Sequence, residues 1–224
     1  MAIDSMPYTA IAQTHSLNSI ITDSAPGAHC YSTGNKANNN EEGVFPYDTA
    51  AFFDNPRIEY MGAYLLRTSG KTMGIVTTAD VFDATPAAFA IHTQNRGAGT
   101  GICDQYLDEA VVKANLTVLL GGGRKWFLPS TTAGSARANS NDYVLPEELA
   151  TGWGVSAGKL DPTRDLISEF ETSGFSYAAT NAQLTAKAAS ATKLLGLFSL
   201  SNMNVALDKI DGRRGSTKIV SDYG

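Results

Sequence analysis

Three times along this chain a helical apolar pattern gives way to a short aliphatic run, and that order constrains the fold most. Ile58, Met61 and Leu65 recur at helical spacing, Gly70 ends the helix, and Thr72 to Thr78 reads as a buried strand. Cys103 to Ala114 reads as a helix, and Leu116 to Leu120 as a strand ending in Gly121-Gly122-Gly123. Asp165 to Thr172 again reads as a helix and Phe175 to Ala178 as a strand. Helices alternating with strands predict an α/β fold with a mostly parallel central sheet flanked by helices. With 43% apolar and 17% charged residues, the 224-residue chain can bury the core that such a sheet needs. Asn35 to Glu42 and Ser130 to Asp142 are polar and loop-like, whereas the alanine-rich stretch Asn181 to Leu195 predicts a helix.

The net charge of −5 counts against nucleic acid or acidic membranes as partners, since both select a basic face. No apolar run approaches the ~20 residues that span a bilayer. Met1 to Ser16 lacks the basic start and apolar stretch of a signal peptide. Cys30 and Cys103 make neither a disulfide framework nor a CxxC site, and are either two unpaired thiols or one disulfide.

Leu17 to Thr22 suits a strand, and Asp23-Ser24-Ala25-Pro26 follows. Proline is tolerated in the first turn of a helix, where its missing N–H is an orphan donor anyway. Ser24 is therefore expected at a strand-to-helix turn, as a cap or as a nucleophile. A histidine base is the common activator of such a serine. His29 lies five residues on, about 140° around a helix from Ser24 and so facing away. Thr22 and Pro26 occupy the glycine positions of the hydrolase elbow, so that motif is absent. His15, His29 and His92 are all read as structural. The remaining route is a metal that lowers the serine pKa, with an arginine fork to grip phosphate oxygens.

Four stretches resemble the alkaline phosphatase family, in family order. Thr22 to Ala28 with Tyr31 to Lys36 is similar to its nucleophile motif, and Thr77 to Arg96 to its metal-and-arginine segment. Leu119 to Gly123 is similar to its glycine-rich strand end, which is a packing turn and not a phosphate cradle. Leu194 to Phe198 with Asn202-Met203 is similar to a later stretch. The resemblance implies that Ser24 forms a phosphoserine and also ligates zinc. It implies that Arg96 holds two phosphoryl oxygens and that Asp23 orients Arg96. Thr85 would be a magnesium ligand, or a helix cap before Pro86, and Asp83 a carboxylate beside the magnesium-bound water. It further implies two zinc ions and one magnesium, small phosphate monoesters and inorganic phosphate as ligands, a homodimer, and a periplasmic or extracellular location. Cys30 and Cys103 flank the motif segments and are candidates for a bridge.

The pattern also departs from the family. Pro26 stands where the family has a small residue, and Asp4 lacks the neighbours of the first metal ligand. No histidine follows His92, although the family places zinc-binding histidines and a magnesium-binding glutamate further on. The expectation is a partial catalytic domain, 1–224, lacking the N- and C-terminal metal-ligand segments and inactive by itself. The rival readings are a non-catalytic phosphate-binding relic and a sulfatase or phosphodiesterase relative. Asn115-Leu116-Thr117 fits a glycosylation sequon.

Overall fold

The computed structural model describes residues 5–205, so Asp4 lies outside the described residues. A four-stranded sheet forms the centre, in the order β1-β2-β4-β3. Its strands are β1 (Met73–Asp80), β2 (Leu116–Gly122), β3 (Ser176–Ala178) and β4 (Leu194–Leu197). Every pairing is parallel, as the helix-then-strand order requires. The register aligns Ile75, Leu119, Leu195 and Tyr177 in one row across the sheet. Ile75, Leu119 and Leu195 are buried in the main core with Tyr106, Phe127, Leu166, Phe170 and Phe175.

The helices are α1 (Ser24–Thr33), α2 (Met61–Ser69), α3 (Ala84–Ala87), α4 (Gly99–Gln105), α5 (Val111–Lys113), α6 (Glu147–Trp153), α7 (Leu166–Thr172) and α8 (Asn181–Ala188). Gly70 ends α2 in the left-handed conformation, φ 63°, as the sequence predicts. The helix expected at Cys103 to Ala114 begins earlier, at Gly99, and carries a π-helical segment at Tyr106–Ala110 between α4 and α5. There the Tyr106 hydroxyl donates to the Val81 carbonyl at 2.8 Å, tying this helix to the end of β1.

Two expected elements differ. Leu17 to Thr22 forms bends, not a strand. Ile20 and Ile21 point to solvent, and Leu17 N–H donates to Ala37 O at 3.0 Å. The Ser16 hydroxyl bonds to Asn18 and to the Ser19 carbonyl, a local pattern that competes with a ladder. The helix expected over Asn181 to Leu195 stops at Ala188, because Leu194 and Leu195 are drawn between β2 and β3 as part of β4. Cys30 and Cys103 are free thiols, the first half-buried and the second buried, so neither is bridged.

Candidate active site at the α1 N-terminus

Asp23 is the N-cap of α1, with extended backbone dihedrals and a side chain that accepts from Ala25 N–H at 2.6 Å. Pro26 sits in the first turn, where its ring fits. Ser24 is therefore the first helical residue, with an exposed hydroxyl.

Asp83 plays the matching part on α3, which starts four residues beyond the end of β1 at Asp80. Its carboxylate caps α3 through Ala84 N–H at 2.8 Å. The cap position suggested for Thr85 thus belongs to Asp83. Thr85 lies inside α3, exposed, and faces the groove between α2, β1 and α3. Asp83 stands beyond the C-terminal end of a parallel strand, the edge where open α/β sheets place ligands.

Arg96 joins the two caps. One terminal nitrogen donates to the Ser24 hydroxyl at 2.8 Å and to Asp23 Oδ1 at 3.2 Å. The other donates to Asp83 Oδ1 at 2.6 Å. Asn40 organises this cluster from below, in a left-handed conformation with φ 75° that asparagine tolerates. Its N–H donates to Asp23 Oδ2 at 2.7 Å, and its carbonyl accepts from Arg96 N–H at 3.0 Å. The structure thus brings Ser24, Asp23, Asp83 and Arg96 together and leaves Thr85 outside their hydrogen bonds.

Glu42 and Asn40 escaped the sequence reading, which took Asn35 to Glu42 as a polar turn. The only signal was the run Asn38-Asn39-Asn40, whose residue type suits left-handed turns. Glu42 is fully buried nearby, and burial pushes its carboxyl well above the usual range. Arg96 opposes that rise, whereas Asp83 and Asp23 add to it.

The histidines serve packing. His29 is buried, and its Nδ1 accepts from Gly43 N–H at 2.8 Å. Burial lowers its pKa to about 4. His92 Nε2 lies 3.2 Å from the Ile58 carbonyl, and its ring packs on Tyr60 at 5.2 Å between centroids. His15 is exposed.

The family resemblance implies two zinc ions and one magnesium. Among the described residues no group of three or more His, Cys, Asp or Glu could hold a metal ion. Ser24 and Thr85 offer one hydroxyl oxygen each, and Asp83 a carboxylate already engaged by Arg96 and by the α3 cap, which do not make a zinc site. These residues do not fit two zinc ions and a magnesium by themselves.

The alkaline phosphatase family profile matches residues 1–218. The alkaline phosphatase of Schizosaccharomyces pombe is 31% identical over 67% of this chain and 27% of its own length. Alkaline phosphatase 4 of Bacillus subtilis is 29% identical over 88% of this chain and 34% of its own length. The chain thus spans about a third or less of these curated relatives. The crystal structure of Thermus thermophilus alkaline phosphatase superposes with a TM-score of 0.62 at 26% identity, covering 88% of this chain and 33% of that one. That of the Antarctic bacterium TAB5 gives 0.62 at 21% identity, covering 92% and 46%, and supports the fold. Profile, relatives and architecture agree, and the chain belongs to the alkaline phosphatase family.

Proposed function

We propose that this chain is the phosphoryl-handling part of a phosphate monoesterase. Ser24 is its nucleophile and Arg96 its phosphate clamp. The observation that carries this reading is the 2.8 Å contact from Arg96 to the Ser24 hydroxyl, with the guanidinium pinned by two helix caps. A phosphate monoester arriving at Ser24 meets a fork suited to two of its oxygens. Ser24 Oγ then attacks phosphorus, its hydroxyl proton passing to solvent, as the bond to the ester oxygen breaks. The products are a phosphoserine and the departing alcohol, which takes a proton from solvent. Water later breaks the serine–phosphorus bond and releases inorganic phosphate.

Family membership supports metal assistance, and one solved relative is described with Mg bound in its M3 site. Most of the ligands for the zinc ions and the magnesium would come from outside the described residues 5–205. Thr85 and Asp83 are this chain's share of the magnesium neighbourhood. A homodimer and a periplasmic or extracellular location belong to the same proposal for the whole protein. No helix among the described residues is long and apolar enough to cross a membrane.

The test has two arms. Binding of inorganic phosphate to this chain is measured by calorimetry, with Arg96→Ala beside it. Hydrolysis of a chromogenic phosphate monoester is followed at alkaline pH with added zinc and magnesium, with Ser24→Ala beside it. Phosphate binding that needs Arg96, without turnover, supports a clamp that requires further segments. Turnover that vanishes in Ser24→Ala makes the chain a complete enzyme. Absence of phosphate binding from a folded sample removes the clamp reading. Turnover that survives in Ser24→Ala removes the nucleophile assignment.

A further inference from the structure

Glu42 is an unusual residue to find beneath the Ser24 cluster. It is fully buried, and neither carboxyl oxygen has a hydrogen-bond partner. Its backbone is firmly placed. Glu42 N–H donates to Thr93 O at 2.8 Å, and Thr93 N–H returns a bond to Glu42 O at 2.9 Å. That bridge joins the two segments that build the clamp. Asn40, two residues before Glu42, holds both Asp23 and the Arg96 backbone. Thr93 lies three residues before Arg96.

The charged groups that act on the Glu42 carboxyl are Arg96, Asp83 and Asp23, which are the clamp itself. The buried Tyr106 phenol on the π-helical segment also senses it. An apolar side chain could fill this interior without the penalty of an unpaired carboxyl. The carboxyl therefore calls for an electrostatic role.

We propose that Glu42 is a positioning residue of the phosphate clamp, a carboxyl behind Arg96 that is uncharged while an anion is bound and, once charged, competes with that anion for the guanidinium. The inference rests on the reading of Arg96 as a phosphate clamp. Burial already favours the uncharged form. An anion on Arg96 withdraws part of the positive field that opposes burial, and so favours that form further. By linkage, the uncharged form must in turn favour the anion, because coupling between two binding events is reciprocal.

The experiment measures the dissociation constant of inorganic phosphate across neutral and alkaline pH. The unmodified chain is compared with Glu42→Gln and Glu42→Leu. The ionisation of phosphate itself cancels in the ratio. Wherever Glu42 is uncharged the unmodified chain should bind as tightly as Glu42→Gln. With rising pH it should weaken relative to that variant, by about tenfold for each unit by which the anion displaces the Glu42 equilibrium. A second readout needs no variant. At alkaline pH, where phosphate is already the dianion, binding to the unmodified chain should take up protons, measured in two buffers of different ionisation enthalpy. A ratio that does not change with pH, or binding without proton uptake, overturns the proposal. A folded unmodified chain that binds no phosphate at any pH removes the clamp instead, and this linkage with it.

Discussion

Asp23 and Asp83 each cap a helix, and both carboxylates close on the same Arg96 guanidinium, at 3.2 and 2.6 Å. Each aspartate thus has two tasks, one in folding and one in aiming the fork at Ser24. The arginine lies between the N-termini of α1 and α3, and the dipole of the longer helix, α1, also favours an anion. Local caps hold each carboxylate, and long-range hydrogen bonds from Arg96 and Asn40 join the two caps into one site.

Arg96→Ala should weaken phosphate binding by roughly 100-fold or more, the loss expected for two charge-assisted hydrogen bonds. Arg96→Lys should recover only part of it. Lysine keeps the charge but cannot reach Asp83 and Ser24 from one planar group. Calorimetric titration with inorganic phosphate checks both. Equal affinities for the lysine variant and the unmodified chain would show that the fork geometry is irrelevant.

Asp23→Ala should cost about 1–2 kcal/mol of stability through loss of the α1 cap. It also strands Asn40 N–H, which donates to Asp23 at 2.7 Å. Asp23→Asn can still cap, so it should retain most of the stability while weakening the hold on Arg96. Urea unfolding separates the two variants, since only the alanine should shift the midpoint strongly.

Elements whose pattern is local were legible in the sequence. Gly70 after Leu65, the aliphatic run of β1 and the α7–β3 pair follow from spacing and turn chemistry alone. Leu17 to Thr22 misled because its apolar side chains imply burial, yet among the described residues no strand lies beside them to form a ladder. Leu194 and Leu195 read as the tail of a helix, and only the open place between β2 and β3 makes them a strand. In the site, Ser24, Asp23, Asp83 and Arg96 were found through motif resemblance. Asn40 and Glu42 were not, because their roles depend on a bridge to Thr93 and a left-handed turn that composition does not reveal.

Gly43→Ala should destabilise the chain by about 2 kcal/mol or more. Gly43 has φ +64°, and a Cβ there would stand 2.4 Å from the Ile91 carbonyl oxygen. Neither backbone can give way easily, because Glu42 and Thr93 are bridged alongside. Circular dichroism during urea unfolding gives the midpoint. An unchanged midpoint would mean that this turn relaxes freely.

Stability should fall on acidification through His29. Its folded pKa is about 4, below the ordinary 6.5, because burial disfavours the charged ring. The unfolded chain therefore binds more protons between those values. The contribution is fully present above pH 6.5 and is lost as pH falls toward 4. Protonation would also remove the Nδ1 lone pair that accepts from Gly43 N–H. His92, lowered well below the usual range by burial, acts in the same direction. In His29→Gln the side-chain carbonyl can accept that N–H without titrating, so the decline between pH 7 and 5 should shrink. A decline of equal size in both proteins would place the acid sensitivity elsewhere.

The last prediction concerns Arg57 and Glu109. Arg57 grips the Glu109 carboxylate with both terminal nitrogens, one contact at 2.9 Å, and donates to the Tyr143 hydroxyl at 2.8 Å. The indole of Trp153 lies 4.5 Å from its guanidinium carbon, and both charged side chains are almost wholly buried. Glu109 belongs to the π-helical segment, so this pair fixes the register of an irregular turn. Removing one partner leaves the other charge buried and unpaired, and Glu109→Ala should cost about 3–5 kcal/mol. Replacing both by apolar residues of similar size, Arg57→Met with Glu109→Leu, should cost clearly less than the sum of the single changes. The hydrophobic pair needs no desolvation of charge, although Tyr143 loses its acceptor. A double-mutant cycle in urea reads the coupling directly. A double variant as unstable as that sum would show that the ion pair contributes through something other than mutual neutralisation, with the π-helical register as the first place to look.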